Sequence, residues 1–460
     1  MFVARLRLVN FRSYHDATVE FAPGLNIIVG RNASGKTNLL EGAFFALRAS
    51  SPRTTKDDKA VRWGAGFARA EATVHRQAGA EAHSFIVAYA PGQAKQVRVD
   101  GVEATSLDDL RRQGSVFIFV PESLLLVKGS PARRRAHLDA FAVAIDPAYE
   151  AGLRDLNVVL KQRNAHLWRV REGAPGDSLD AWDRQLARVA LGFEERRRAI
   201  VARLSASYRD FAAALAPDGG LFSLGLVSQL DELAAGPPES GAGLGPSAAG
   251  PAVDADPGSP REPKAASAPT VGGTPLADSL ERAFMAALRA RRPGEISRAV
   301  SGFGPHRDDL RFAEDAAAAT GEGGEGGAPR DLRLFGSQGE QRAAVLALLL
   351  AERAVAAEAT GDLGALLLDD VMSELDDARR RLLVSTLSAG GQAIITTTNR
   401  LYFAADELAR ARVIDIGPEG PAIDDAAPTG ADDAAAPTGA DPGESAAPTS
   451  ADPGDARRDG

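Results

Sequence analysis

An eight-residue segment near the start of the chain constrains the fold more than any other feature. Residues 30–37 read GRNASGKT and match the pattern G-x-x-x-x-G-K-[ST] at every constrained position. An apolar stretch at residues 25–29 precedes the segment, and from residue 37 apolar side chains recur on one face of a helix. This order predicts a buried strand, a tight turn and an amphipathic helix, the setting in which such a turn binds phosphate.

The predicted turn supplies a phosphate site from its backbone and from two side chains. Its glycines let the chain turn tightly, so that successive N–H groups point at phosphate oxygens. Lys36 is predicted to reach the β- and γ-phosphates of a bound nucleotide, and the Thr37 hydroxyl to bind Mg²⁺. The alternative is an ordinary glycine-rich turn between a strand and a helix. The residues predicted to hold the nucleotide are Gly30, Arg31, Asn32, Ala33, Ser34, Gly35, Lys36 and Thr37.

A carboxylate at the end of a second buried strand is the other requirement of such a site. Residues 365–368 are apolar and are followed by Asp369 and Asp370. Asp369 fits the metal-holding role beside Thr37, and Asp370 fits the carboxylate that orients or deprotonates the attacking water. The alternative is an aspartate that caps the next helix. The predicted catalytic residues are therefore Lys36, Asp369 and Asp370.

A second helix start also has phosphate-binding character. Residues 335–342 read FGSQGEQR and precede a strongly apolar helical stretch. Ser337 and Gly339 can ligate a phosphate, or they can simply cap this helix. Because one copy of the chain already supplies a complete cradle, a second one is useful when it closes over the nucleotide of a partner copy. Residues 396–398, three threonines after another strand, are predicted to line the same γ-phosphate side.

Composition excludes several other kinds of site. Cysteine is absent and the six histidines show no ligand-like spacing, so any metal must be bound by oxygen atoms. No stretch approaches the roughly 20 apolar residues that span a bilayer, which predicts a soluble, cytoplasmic protein with no membrane partner. The net charge is −9, but residues 421–460 carry −7 of it, so the acidity does not exclude a nucleic-acid partner for the remainder.

The remaining patterns predict an α/β fold with an inserted helical lobe. Short strands at residues 3–8, 17–21, 84–89 and 116–120, and alternating strands and helices from a strand at 331 to residue 416, predict a mixed and parallel sheet covered on both faces. Residues 316–330 read as the loop of a hairpin. Leucines spaced by three, four and seven predict a helical hairpin and not a long coiled coil.

Two segments are predicted to be disordered. Gly, Pro, Ala or Ser fill 29 of the 40 positions of residues 236–275, and the tail repeats short proline-containing acidic units. The predicted organisation is an N-terminal part with the phosphate-binding turn (1–130), a helical lobe (131–235), a linker (236–275), a C-terminal part with the second helix start and the acidic pair (276–416), and an acidic tail (417–460).

Clusters of basic residues offer contacts to DNA phosphates, which would be independent of base sequence and sensitive to salt. The alternative is that they are solvated helix faces paired with acids. His306 and Arg307 could belong to a nucleic-acid element or to a turn that anchors two strands. The clusters are Arg133, Arg134 and Arg135; Arg196, Arg197 and Arg198; and Lys161, Arg163, Arg169 and Arg171 near Trp168.

In combination these segments resemble the RecF family of recombination and repair proteins, whose head is a P-loop ATPase of the ABC type. The blocks that carry the resemblance are LRLVNFRSY, GRNASGKTNLLEG, VKGSPARRRAHLD, LKQRNAHL, GPHRDDL, SQGEQR, LLLDDVMSELD and ITTTN. Glu340 stands where a glutamine is more usual in that family.

The resemblance implies a weak ATPase that forms an ATP-dependent homodimer and binds double-stranded and gapped DNA. It also implies cooperation with the mediator proteins RecR and RecO to promote recombinase loading, with Ser337 meeting the γ-phosphate across the dimer. The alternative is a chromosome-organising head like those of the SMC and Rad50 families, although the interval between the two halves of the site is short and broken by proline. The second helix start at residues 335–342 disfavours a simple P-loop kinase.

Overall fold

The central sheet holds the strand that leads into the phosphate-binding turn. The computed structural model describes residues 1–76, 79–104, 110, 115–215, 221–234, 275–315, 329–388, 390–417 and 420–423. Almost all of the predicted linker and tail lies outside these residues. Within the described ranges its strands are β3 (Leu25–Gly30), β8 (Val116–Phe119), β12 (Ala365–Leu368), β13 (Ala393–Thr397), β14 (Arg412–Gly417) and β15 (Gly420–Ile423). They lie side by side in the order β15-β14-β3-β13-β12-β8.

Five of these strands run parallel, and β15 is antiparallel to its neighbour β14. The carboxyl ends of β3, β12 and β13 therefore meet at one edge, which is where parallel sheets bind ligands. Because the sheet is buried on both faces, its strands are almost continuously apolar. Ile27 and Ile28, neighbours on β3, accordingly point into two different cores.

One face of the central sheet packs against helix α1 (Lys36–Arg48) and a second, antiparallel sheet. Buried and half-buried residues alternate along its strand β4 (Ala68–His75), so one face of the antiparallel sheet packs into the core shared with α1. The strand predictions for the N-terminal part are confirmed, with ends that differ by a few residues. In sheet order, the described strands are β2 (Tyr14–Glu20), β1 (Phe2–Phe11), β4 (Ala68–His75), β5 (Ala82–Tyr89), β6 (Gln96–Val99) and β7 (Val102–Glu103).

The other face packs against helices. Buried leucines and valines of helix α9 (Gln338–Thr360) pack in one core with residues of helices α4 (Pro147–Arg171) and α5 (Leu179–Leu215). The predicted helical hairpin is confirmed, because α4 (25 residues) and α5 (37 residues) pack along each other. The described helices after α1 are α2 (Leu125–Lys128), α3 (Pro131–Ile145), α4 (Pro147–Arg171), α5 (Leu179–Leu215), α6 (Gln229–Ala234), α7 (Pro275–Arg298), α8 (Leu332–Phe335), α9 (Gln338–Thr360), α10 (Asp377–Ser388) and α11 (Ala405–Arg410).

A third sheet lies beside the helical lobe and contains the predicted hairpin. Strand β10 (Asp309–Asp315) pairs with β9 (Leu221–Val227) and with the short β11 (Arg330–Asp331). The strand predicted from residue 331 onward is wrong beyond its first residue, because Leu332–Phe335 is helical. Asp331 caps that helix by accepting a hydrogen bond from the Arg333 amide, which ends the strand.

Candidate functional site

The phosphate-binding turn has the strand–turn–helix geometry that its sequence predicts. Strand β3 ends at Gly30 and helix α1 begins at Lys36. Gly35 has a φ of 103°, and a Cβ there would lie 2.9 Å from the Tyr14 hydroxyl, so glycine is required on both counts. A Cβ at Gly30 would lie 2.6 Å from the Ser34 Oγ, so a larger residue at this position would have to displace the Ser34 side chain.

Lys36 lies inside this turn. Its Nζ donates hydrogen bonds to the carbonyl oxygens of Gly30 (2.8 Å) and Arg31 (3.0 Å). Burial lowers the pKa of Lys36, and the negative charges of Asp370 and Asp369 oppose this effect. The ammonium group is therefore held by two carbonyl oxygens of the turn, close enough to Asp369 and Asp370 to feel their charge.

Thr37 and Asp369 are brought together although they are far apart in sequence. The Thr37 Oγ1 donates to Asp369 Oδ2 at 2.7 Å, and the Thr396 Oγ1 donates to Asp369 Oδ1 at 2.7 Å. Asp369 is 6% exposed, so two hydroxyls satisfy a carboxylate that is largely removed from water. In the described part of the chain, no three or more His, Cys, Asp or Glu side chains are grouped so that they could hold a metal ion.

Asp370 occupies the start of the turn after β12. Its φ is 48°, its backbone N–H donates to Thr396 Oγ1 (3.0 Å), and its carbonyl oxygen accepts a hydrogen bond from Ser373 Oγ (2.9 Å). An aspartate tolerates this left-handed conformation better than most residues. Thr396 thus links both members of the acidic pair, a role beyond the γ-phosphate contact predicted for it.

The segment at residues 337–342, which we call the signature segment, forms a capping box. The Ser337 Oγ accepts a hydrogen bond from the Glu340 amide (3.2 Å), and Glu340 Oε2 accepts one from the Ser337 amide (2.6 Å). The capping interpretation is therefore confirmed for Ser337. Ser337 and Gly339 are both exposed, and among the described residues no hydrogen bond joins Ser337 to the phosphate-binding turn.

A turn between β1 and β2 supports the phosphate-binding helix, and the sequence analysis assigned it no role. Asn10 and Arg12 both have positive φ angles. The Arg12 guanidinium donates twice to the buried Glu41 on α1 (3.0 and 2.6 Å), and the Tyr14 hydroxyl donates to the Gly35 carbonyl oxygen (3.1 Å). The polar residues Arg12 and Ser13, which lie between two predicted strands, are the sequence signal that indicates this turn.

Glu122 is a further residue at the same edge. It follows β8, which pairs with β12 in parallel, so it lies at the carboxyl ends of the strands together with Asp369. Its Oε1 accepts a hydrogen bond from Arg53 Nε (3.3 Å), and Arg53 also contacts Glu41 and Asn38 on α1. The acid two residues after the strand predicted at residues 116–120 was the available signal.

The basic clusters divide into buried and exposed members. Arg134 donates to both oxygens of Asp309 at 2.7 Å, and Arg197 contacts Asp139 and Asp308. Arg163 is fully buried between Asp183 and Glu295. For these three residues the structure shows the alternative interpretation in part: they pair with acids, but as buried side chains and not as a solvated helix face. Exposed members are Arg133, Arg196, Lys161, Arg169 and Arg171, with Trp168 52% exposed.

His306 and Arg307 belong to a turn, as one of the two interpretations predicted. The turn Pro305–Arg307 leads into β10, and both side chains contact the Ser301 carbonyl oxygen. Burial lowers the pKa of His306 to about 4, so its ring is neutral at neutral pH. Asp308 and Asp309, which follow this turn, form ion pairs with Arg197 and Arg134 of the helical lobe.

Sequence comparisons find relatives over almost the whole chain. Residues 2–415 match the family described as RecF/RecN/SMC N terminal domain. The chain is 33% identical over 423 residues to the DNA replication and repair protein RecF of Heliobacterium modesticaldum, covering 90% of this chain and 97% of that protein. It is 32% identical over 401 residues to the protein of the same name from Bacillus subtilis, covering 87% and 94%.

Solved structures show the same architecture. The structure of the recombination mediator protein RecF-ATP in the RecFOR pathway has a TM-score of 0.70 at 24% identity, covering 92% of this chain and 97% of that one. The corresponding RecF-ATPrS structure has a TM-score of 0.66 and covers 90% and 95%. The predicted fold class, an α/β head of the ABC type, is confirmed. The part of the chain that the structure describes has no helix long and apolar enough to cross a membrane.

Proposed function

Because the chain belongs to the RecF family of DNA replication and repair proteins, we propose that it is an ATP-dependent DNA-binding protein of recombinational repair and replication restart. It dimerises on ATP, hydrolyses ATP slowly as a switch, and binds duplex DNA at gaps or junctions between single and double strands. It acts at the nucleoid in the cytoplasm, where it promotes recombinase loading together with RecR and RecO.

The meeting of Lys36, Thr37 and Asp369 at one edge of the central sheet carries this proposal. Lys36 is held in the turn by carbonyl oxygens that the β- and γ-phosphates of ATP would replace as its partners. The Thr37 hydroxyl and the Asp369 carboxylate, 2.7 Å apart, would hold Mg²⁺. This oxygen pair fits Mg²⁺, which binds one or two protein ligands plus phosphates and water, and which would neutralise charge on the phosphate oxygens.

Two features of the signature segment support a second copy as the partner. Leu334 and Phe335, just before Ser337, are 69% and 64% exposed, and these two adjacent apolar side chains form a surface that a second copy would cover. Ser337 is exposed at the N-terminus of α9, where its hydroxyl would meet the γ-phosphate held by the partner copy.

The DNA surface is proposed to include the exposed basic residues of the helical lobe. Lys161, Arg169 and Arg171 lie on α4 and are exposed, and Trp168 between them offers an aromatic face on which a base can stack. Arg133 and Arg196 add exposed positive charge on α3 and α5. A chromosome-organising head of the SMC or Rad50 kind is less well supported, because the hairpin helices have only 25 and 37 residues.

Binding to gapped and blunt duplexes of equal length tests the proposal. With a nonhydrolysable ATP analogue, fluorescence anisotropy should show tighter binding to the gapped duplex, and the affinity should fall steeply between about 50 and 200 mM salt. Without nucleotide both duplexes should bind weakly. Equal affinity with and without the analogue would contradict nucleotide control of DNA binding.

A further inference from the structure

The signature segment carries a negative charge close to where a phosphate would arrive. Glu340 stands three residues after Ser337, and its Oε2 accepts a hydrogen bond from the Ser337 amide (2.6 Å). A carboxylate this near Ser337 repels a triphosphate that approaches the serine hydroxyl. The segment therefore needs a compensating cation if it is to bind a γ-phosphate.

Arg330 provides that cation. Its Nη2 donates to Glu340 Oε1 (2.8 Å), and its Nη1 donates to the Phe335 carbonyl oxygen (2.8 Å). Its guanidinium also pairs with Glu314, which lies directly opposite Arg330 in the β10–β11 hairpin. One side chain thus connects the hairpin, the end of α8 and the first turn of α9.

Interactions among Arg330, Glu314 and Glu340 favour the charged forms of Arg330 and Glu340. Hydrogen bonds to Glu340 and Glu314 raise the pKa of Arg330. Hydrogen bonds from Ser337 and Arg330 lower the pKa of Glu340 against the effect of burial. Without Arg330 the Glu340 carboxylate would lose the guanidinium with which it pairs.

We propose that Arg330 is a positioning residue for Ser337, because it screens the Glu340 carboxylate and fixes the capping box so that the serine hydroxyl can face a phosphate of the partner copy. This inference rests on the nucleotide-dependent dimer proposed above. The requirement for Arg330 follows from the carboxylate that this chain places at residue 340, three residues after Ser337.

Sedimentation of four proteins with a nonhydrolysable ATP analogue tests the inference: wild type, Arg330→Gln, Glu340→Gln and the double variant. Arg330→Gln should weaken dimerisation about tenfold, or about 1.4 kcal/mol. Glu340→Gln keeps an oxygen that can cap Ser337 but removes the charge, so it should dimerise at least as tightly as wild type. The double variant should recover to within about threefold of wild type, because the two residues are coupled.

Salt separates this electrostatic role from a structural one. Raising the ionic strength should reduce the difference between Arg330→Gln and wild type, since partly exposed charges are screened, whereas a misfolded hairpin would keep its defect. Arg311→Gln removes a cation from the same hairpin that pairs with Asp331 and not with α9, and should leave dimerisation unchanged. Arg330→Lys keeps the charge and should fall between wild type and Arg330→Gln.

Failure of the inference and failure of the proposed function give different results. If wild type dimerises with nucleotide while the double variant is as weak as Arg330→Gln, Arg330 acts only through Glu314 and Phe335 and the screening role is overturned. If Glu340→Gln is weaker than wild type, the carboxylate is helpful and the inference is also overturned. A wild-type protein that stays monomeric with saturating analogue would instead overturn the proposed dimer.

Discussion

Lys36→Met is expected to abolish the nucleotide-dependent part of DNA binding. The ammonium group lies within the phosphate-binding turn, 2.8 Å from the Gly30 carbonyl oxygen, where it would meet the β- and γ-phosphates. Methionine keeps the length of the side chain but removes the charge. Nucleotide affinity should fall about 100-fold, or about 2.8 kcal/mol, as measured with a fluorescent ATP analogue. Gel shifts with and without nucleotide should become identical.

The fold should survive this substitution. Burial lowers the pKa of Lys36, which means that the charged form is disfavoured there and that its removal relieves a desolvation cost. The thermal unfolding midpoint measured without nucleotide should therefore be close to that of wild type. Lys59→Ala removes an exposed cation from the turn Asp57–Ala60 and is the matched control. ATP-dependent retention of DNA by Lys36→Met would count against nucleotide gating.

The phosphate-binding turn could be predicted from sequence because everything it needs is local. The strand before Gly30, the conformational demand at Gly35 and the helix after Lys36 all lie within one continuous segment. The partnership of Thr37 with Asp369 spans 332 residues, and motif knowledge alone connected them. What the motif did not show is that β13 lies between β3 and β12, so that Thr396 at its end contacts both Asp369 and Asp370.

The arginines show where sequence reasoning fails and why. A run such as Arg133, Arg134 and Arg135 looks uniform, yet its central member is buried because Asp309, 175 residues later, folds against it. Arg163 is buried by partners from two other helices. Whether a cation is a surface charge or half of a buried pair depends on tertiary partners, which charge patterns do not contain.

The short helix Leu332–Phe335 is a second instance. The alternation in DLRLF is that of a strand, but Asp331 caps a helical turn, which buries Leu332 and leaves Leu334 and Phe335 exposed. The hydrogen bond from the Arg333 amide to Asp331 favours a helical turn over the strand that the alternating pattern predicts. The consequence concerns function, because this turn presents the two exposed apolar side chains beside Ser337.

Asp370→Asn is expected to trap the ATP-bound dimer. We propose that Asp370 orients or deprotonates the attacking water, and loss of a general base slows hydrolysis by about 10²- to 10⁴-fold. Asparagine has the same shape and tolerates the left-handed conformation that Asp370 adopts, so the Thr396 contact of its backbone should remain. Phosphate release should become very slow while sedimentation with ATP shows a persistent dimer.

Asp369→Asn supplies the contrast that separates the two acids. Its carboxylate accepts hydrogen bonds from Thr37 and Thr396, and we propose that it holds Mg²⁺, so its replacement should weaken nucleotide binding and give no stable dimer. Asp377→Asn, at a side chain that is 84% exposed, should leave both binding and turnover unchanged. If Asp370→Asn remained a monomer at saturating ATP, or hydrolysed ATP at the wild-type rate, Asp370 would not be the residue that acts on the water.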